Sequence, residues 1–214
     1  MNVEKPDKIL IASGNTGKVR EFVELLKDLP IDICGLKDFT KIEAVAETGA
    51  SFEENARLKA AGYAVQTGLW TLADDSGLEV EAIGNAPGVF SARYGGETAS
   101  NAEKIEKLLA ELKKTGDRER KARFVCAIAL AAPDGEIIRL EIGTCEGLIA
   151  DKPLGNNGFG YDPIFVPENF RKTFGELPEN IKQEISHRGR ATRKIIRFLR
   201  DFFKISLDRE GLTE

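Results

Sequence analysis

Lys8-Ile9-Leu10-Ile11-Ala12-Ser13-Gly14-Asn15-Thr16-Gly17-Lys18 opens the first structural unit of the chain and decides its fold class. Residues 8–12 are an apolar run of strand length, and 13–17 are a tight polar turn. From 18 to 29 the apolar positions Val19, Phe22, Val23, Leu25 and Leu26 share one helix face. Pro30 stops that helix, and 31–36 reads as a second strand. Strand, glycine turn, helix, strand predicts an α/β fold. Backbone N–H groups in such a turn point at an anion, and the helix dipole adds to the attraction. A Walker A loop is excluded, because Ala12 stands at the first glycine position and Val19 follows Lys18. The turn suits a phosphate with Lys18 as a point charge, or simply a glycine turn with a surface lysine.

Further along, Ser51 and Glu54 form a capping box that starts a helix ending at Thr67-Gly68. Asn55 and Lys59 lie four apart on it, a polar pair beside Ala56, Ala60 and Ala61 that fits a cleft lining or an exposed flank. The strand over 69–74 delivers Asp74 and Asp75 into Ser76-Gly77, read as a turn. Adjacent carboxylates repel each other, and a divalent cation or a shared proton relieves them. An aspartate capping loop backbone is the plainer alternative. Residues 77–83 continue extended, 84–88 form a loop, and 101–114 form an amphipathic helix with Ile105, Leu108, Leu109 and Leu112 inward. Strands over 122–132 and 137–144 flank the hairpin turn Pro133-Asp134-Gly135-Glu136. After Pro178 the chain is helical, dented at Gly189, and ends in a basic-apolar helix to about Lys204. Hairpins among strand-helix-strand units predict a mixed sheet in a single unit spanning residues 1–214, without repeats or a linker.

Composition narrows the chemistry. Of 214 residues 42% are hydrophobic and 31% charged, enough apolar content for a core. The net charge of −4 argues against binding nucleic acid through bulk charge. No apolar run approaches the ~18 residues of a membrane span. Residues 1–7 read as a polar tail rather than a signal peptide. Cys34, Cys126 and Cys145 lack metal-ligand spacing and read as reduced, mostly buried residues of a cytosolic protein. With a single histidine, a zinc site is improbable, so a metal here would be hard and oxygen-liganded.

Three more stretches carry candidate chemistry. Phe159-Gly160-Tyr161-Asp162 follows a glycine-rich loop; the aromatic suits stacking on a flat ligand, or a core position beside a turn. Ser186-His187-Arg188-Gly189 is a helix dent, or a recognition element in which the Arg188 fork pairs with O6 and N7 of a keto-purine. Arg190, Arg193, Lys194, Arg197 and Arg200 form a basic helix face, chiefly a solvated face of a helix packed on the sheet, with a dimer or nucleic-acid contact as the alternative. Glu47 alone is an ordinary loop residue unless it meets Asp74 and Asp75.

The ordered strings SGNTGK (13–18), ETG (47–49), SFEENARLKA (51–60), LADDSGLEVEAIGNAPGVFSARYGG (72–96), GFGYDPIF (158–165) and ISHRGRA (185–191) resemble the inosine triphosphate pyrophosphatase family. The resemblance covers nearly the whole chain. It implies a two-lobed α/β fold around a long mixed sheet with a central cleft, Mg2+ dependence and a homodimer. It further implies hydrolysis of ITP, dITP and XTP to the monophosphate and pyrophosphate by attack at the α-phosphorus. Residue by residue, Ser13, Gly14, Asn15, Thr16, Gly17 and Lys18 would hold the triphosphate. Glu47 and Asp75 would bind Mg2+, with Asp75 also the proton acceptor. Ser76 would touch the substrate, and Phe159, Gly160, Tyr161 and Asp162 would hold base and sugar. Lys182, His187 and Arg188 would complete the pocket, while Asp74 would orient water or tune its neighbour. Two alternatives remain: a Maf-type pyrophosphatase preferring pyrimidine or modified triphosphates, and a nucleotide sensor with no need of Glu47 and Asp75 together.

Overall fold

A computed structural model describes residues 6–204; residues 1–5 of the tail read at 1–7 and the segment after Lys204 lie outside them. Strands β1 (Lys8–Ile11), β2 (Asp32–Gly35), β3 (Trp70–Val80), β4 (Ala86–Pro87), β5 (Lys121–Ala131), β6 (Ile137–Ile149) and β7 (Phe165–Pro167) form one mixed sheet. Its order is β2-β1-β3-β5-β6-β7, with β4 added to β3. β1 pairs parallel with β2 and β3, and the remaining pairs are antiparallel. The helices are α1 (Thr16–Leu26), α2 (Phe52–Thr67), α3 (Asn101–Thr115), α4 (Glu179–Ile185) and α5 (His187–Phe202). The mixed α/β architecture expected from the strand-helix pattern is present, and among the described residues no helix is long and apolar enough to cross a membrane.

Three apolar clusters build the molecule. On one sheet face α1 and α5 pack Phe22, Leu26, Ile195 and Leu199 against Ile9, Ile11, Leu72 and Ile128. On the other, Ala56, Ala60 and Ala64 of α2 meet Leu10, Ala73, Ala127 and Ala129, small residues that let the helix lie close to the sheet. A separate cluster joins Leu108 and Leu112 of α3 to Leu78, Val80, Phe124, Phe165 and Phe174. Removing these side chains from water supplies the folding drive. The long strands β3 and β5 run through both lobes, paired from Thr71↔Ala131 to Val80↔Ala122.

The structure corrects several sequence expectations. β3 is one strand of 11 residues, so Ser76-Gly77 lies mid-strand and is no turn. Gly77 is required by close approach: a Cβ there would stand 2.3 Å from Ser91 Oγ and 2.5 Å from the Gly88 carbonyl. α1 begins at Thr16, inside the expected turn, because Asn15 caps it. Val23 is exposed and Glu21 is buried in its stead. Ser51 caps α2 as expected, yet Glu54 reaches back to the Ala50 N–H (2.7 Å), one residue beyond the capping-box partner. The dent before the last helix falls at Ser186, whose hydroxyl accepts from the Gly189 N–H at 3.1 Å. Gly189 lets the two helices touch, since a Cβ there would lie 1.9 Å from the Gln183 carbonyl. Basic residues of α5 are spent on packing: Arg190 donates to the Thr144 carbonyl (2.9 Å) and Lys194 to that of Ile142 (2.6 Å).

The topology positions a site. β1 covers one edge of β3 only at Trp70, Thr71 and Leu72, and β4 only at Glu79 and Val80. Between them, beyond the carboxyl end of β1, the edge of β3 from Ala73 to Leu78 has no strand partner among the described residues. Ligands of open α/β sheets bind outside strand carboxyl ends where the sheet changes direction. Replacing Gly77→Ala is expected to cost roughly 1–3 kcal/mol of stability by overpacking, read as a lower thermal midpoint.

Candidate active site

At that opening lies a cleft of about 1130 Å³ between the lobes. Ser13 to Lys18, Glu47, Asp75, Ser76, Phe159 to Asp162, Lys182, His187 and Arg188 all border it, whereas Asp74 lies beneath its floor. Consecutive residues of a strand point to opposite faces. Asp74 and Asp75 therefore do not share a site; the pleat of β3 separates them.

Asp74 faces α1 and α5. Its Oδ2 is 3.0 Å from Lys18 Nζ and 3.2 Å from Arg188 Nη2, and accepts from the Ser76 hydroxyl at 3.2 Å. Burial alone would raise its pKa, but Lys18, Arg188 and Lys59 outweigh it and hold the carboxyl far below the ordinary range. Asp75 faces α2. Its Oδ2 accepts from Asn55 Nδ2 (3.0 Å) and its Oδ1 from the Ser76 N–H (3.0 Å). Lys59 Nζ lies 3.6 Å from Asp75 Oδ1 and 3.1 Å from Glu47 Oε2. The trio is lopsided. Burial disfavours the Lys59 charge, yet Asp75, Asp74 and Glu47 together raise its pKa. Burial also raises the pKa of Asp75, further than Lys59, Lys18 and Asn55 pull it down, and Glu47 adds to the rise.

A second network lies beyond Asp74. Glu21 is ion-paired with Arg188 Nη1 and with Lys182 (2.8 Å), and Lys182 also meets Asp162 Oδ2 at 2.6 Å. Asp162 Oδ2 in turn accepts from the Phe159 N–H (2.7 Å) and closes the aromatic turn. The Phe159 ring has Lys182 4.6 Å and Arg188 5.6 Å from its centroid. Gly17 admits that ring, because a Cβ there would be 2.8 Å from Phe159 Cδ1. The two rims of the cleft thus touch. Tyr161 donates its hydroxyl to the Ser91 carbonyl (3.0 Å), pinning the far lobe.

Two expected roles change in detail. Asn15 Oδ1 accepts from the Gly17 and Lys18 N–H groups at 2.9 and 3.2 Å, so the cap already fills part of the helix N-terminus. Arg188 gives Nε and Nη2 to Asp74, Nη2 to Ser76 (2.8 Å) and Nη1 to Glu21. Of its five N–H groups one on Nη1 has no partner among the described residues, so a two-pronged grip on a purine edge is not available in this arrangement. Beside it His187 stacks on Phe124 with centroids 4.6 Å apart, and its Nδ1 has no partner among the described residues. Burial, Arg188 and Lys182 lower its pKa well below the usual value, so it is neutral.

Among the described residues no group of three or more His, Cys, Asp or Glu side chains could hold a metal. Two carboxylates from separate segments nevertheless converge on one positive centre, Lys59, and this oxygen donor set suits a hard cation such as Mg2+. Glu21 escaped the sequence reading because it is one acidic residue on an amphipathic helix, and its partner Arg188 stands 167 residues away. Lys59 was foreshadowed by its spacing from Asn55.

The Ham1 family profile matches residues 9–198. The chain is similar to a dITP/XTP pyrophosphatase of Bacillus cereus, 46% identical over 94% of this chain and 98% of the relative. It is similar as well to one of Synechococcus sp., 50% identical over 86% of this chain and 85% of the relative. Among solved structures, a HAM1 protein from Coxiella burnetii superposes with a TM-score of 0.84 at 44% identity, covering 91% of this chain and 98% of the other. A dITP/XTP pyrophosphatase from Mycobacterium abscessus gives a TM-score of 0.72 at 45% identity, covering 88% and 98%.

His187 yields a pH prediction. Its folded pKa lies well below the value of 6.5 expected in the unfolded chain, so the unfolded state binds the extra proton as pH falls below 6.5. Stability is therefore lost on acidification through that window, by up to ~1.4 kcal/mol per pH unit. It is the one histidine of the chain, so denaturant titrations of His187→Gln between pH 6.5 and 5 should lose that slope.

Proposed function

Since the chain belongs to the Ham1 family, we propose that it hydrolyses non-standard purine nucleoside triphosphates (ITP, dITP, XTP) to the monophosphate and pyrophosphate, removing them from the nucleotide pool. The observation that carries the reading is the meeting of Glu47 and Asp75 at Lys59 inside a cleft rimmed by the Ser13–Lys18 loop and the Phe159 turn.

A nucleoside triphosphate brings about four negative charges, which must be offset before a nucleophile approaches. Lys18 and Lys59 supply two cations. Asp75 is the base: Asn55 and the Ser76 N–H fix its carboxylate, and its raised pKa favours taking a proton from an attacking water. Attack at the α-phosphorus, the point implied by the family resemblance, sends pyrophosphate out on the Lys18 side. Glu47 and Asp75 would hold Mg2+, which would neutralise phosphate charge when bound. Neutral His187 and the remaining Arg188 N–H stand where a base would be read, with Phe159 available for stacking. The homodimer implied by the resemblance and the cytoplasmic setting read from the three cysteines belong to the same proposal.

Pyrophosphate release from ITP, dITP, XTP, GTP, ATP, UTP and dTTP tests this reading, and a preference for pyrimidines or no turnover at all would reject it. Asp75→Asn is expected to abolish turnover while leaving the melting temperature unchanged or higher, because the folded state disfavours that charge. Asp74→Asn is expected to do the opposite at the level of the fold. It strips the buried counter-charge from Lys18 and Arg188 and costs about 3–5 kcal/mol, read in chemical denaturation.

A further inference from the structure

Lys59 is a charged side chain held in a place where the reaction needs something else. Its ammonium lies between Glu47 Oε2 (3.1 Å) and Asp75 Oδ1 (3.6 Å), the pair of oxygens that would hold the cation. The side chain is 11% exposed, so it is a fixed occupant rather than a passing surface contact. Nothing else anchors it: its ion pairs among the described residues are with those two carboxylates alone. Asn55 meanwhile holds Asp75 Oδ2. Asp75 is thus oriented whether or not Lys59 stays.

We propose that Lys59 is a built-in surrogate for the divalent cation, occupying the carboxylate pair in the nucleotide-free protein and leaving it for the substrate's phosphates as the cation enters. This rests on the functional reading above and adds to it an order of events. Two carboxylates against one ammonium leave one negative charge instead of two, so the resting site attracts a free cation less strongly than the bare pair would. A metal entering without a nucleotide must displace the ammonium, and Lys59 then has no carboxylate partner in a buried setting. With a nucleotide present, the released ammonium meets phosphate oxygens, and the two carboxylates are matched by the charge of one divalent ion. Cation and nucleotide are therefore positively coupled, each raising the affinity for the other. The device halves the charge of the carboxylate pair when no substrate is bound, and it brings Lys59 to the phosphates only when the cation is in place.

The test is Mn2+ binding to the nucleotide-free protein, followed by electron paramagnetic resonance. Lys59→Met and Lys59→Gln are expected to bind Mn2+ roughly tenfold or more tightly than the parent protein, since the competing charge is gone. Lys59→Arg, which keeps a cation there, should stay as weak as the parent. Adding Glu47→Gln to Lys59→Gln should cancel the gain. The glutamine variant retains a polar group for Glu47, so it reports even where the methionine variant does not fold. Unchanged Mn2+ affinity in Lys59→Gln, or equal tightening in Lys59→Arg, overturns the surrogate role. Pyrophosphate release by the parent protein is measured alongside. Turnover without a Mn2+ gain rejects this inference alone, whereas a Mn2+ gain without turnover of any triphosphate rejects the assigned reaction and leaves the competition standing.

Discussion

The pleat of β3 holds two neighbouring carboxylates apart, and the arrangement of the cleft follows from that separation. Asp74 points into the face covered by α1 and α5, Asp75 into the face covered by α2. Had the strand turned after Asp75, both charges would sit together in one loop and need a common counter-ion. In the extended strand each acquires its own environment. Asp74 joins a closed set with Lys18, Arg188, Glu21, Lys182 and Asp162, three positive and three negative groups linked in series. Asp75 joins an open set with Glu47 and Lys59 that keeps one negative charge in excess. A balanced network is suited to holding geometry, an unbalanced one to accepting a cation.

The balanced network connects the ends of the cleft. Lys18 belongs to the first turn of α1, Lys182 and Arg188 to α4 and α5, and Asp162 to the aromatic turn. Each is fixed by a partner from another element, so the start of α1 and the aromatic turn are set relative to each other through Asp74 and Glu21. Buried ion pairs contribute little net stability compared with apolar replacements of the same volume. Their value here lies in placement: positions on helices and strands, locked by charge-assisted bonds, hold a site more firmly than loops do.

What the chain disclosed in advance follows the same physics. Local patterns were readable: the apolar run of β1, the Ser51 cap of α2, the periodic face of α3 and the hairpin at Gly135 all lie within a few residues of their causes. Glycines misled where the cause was distant. Gly77 and Gly189 resemble turn and break residues, yet neither has a positive φ; each makes room for a neighbour from another element. For the same reason Arg188 reads in sequence as an unattached fork, whereas three acidic or polar partners from β3 and α1 claim most of its donors. Glu21 is the extreme case, since nothing near it in the chain explains burying a carboxylate.

Phe159 shows how the two sets of charges could be joined to a flat ligand without changing either. Its ring lies near Lys182 and Arg188 and also meets Gly17, so the aromatic turn and the start of α1 share a contact across the cleft. A ring over a cation is attracted through its quadrupole, and the Phe159 N–H is tied to Asp162. The backbone of the turn is therefore fixed while the ring itself is only half-buried and free of directional bonds. A base entering between the lobes competes with a van der Waals contact rather than with hydrogen bonds. In the proposed reaction, selectivity would fall to groups that stay put, the neutral edge of His187 and the last N–H of Arg188, which keep their geometry because the balanced network beneath them does not have to move.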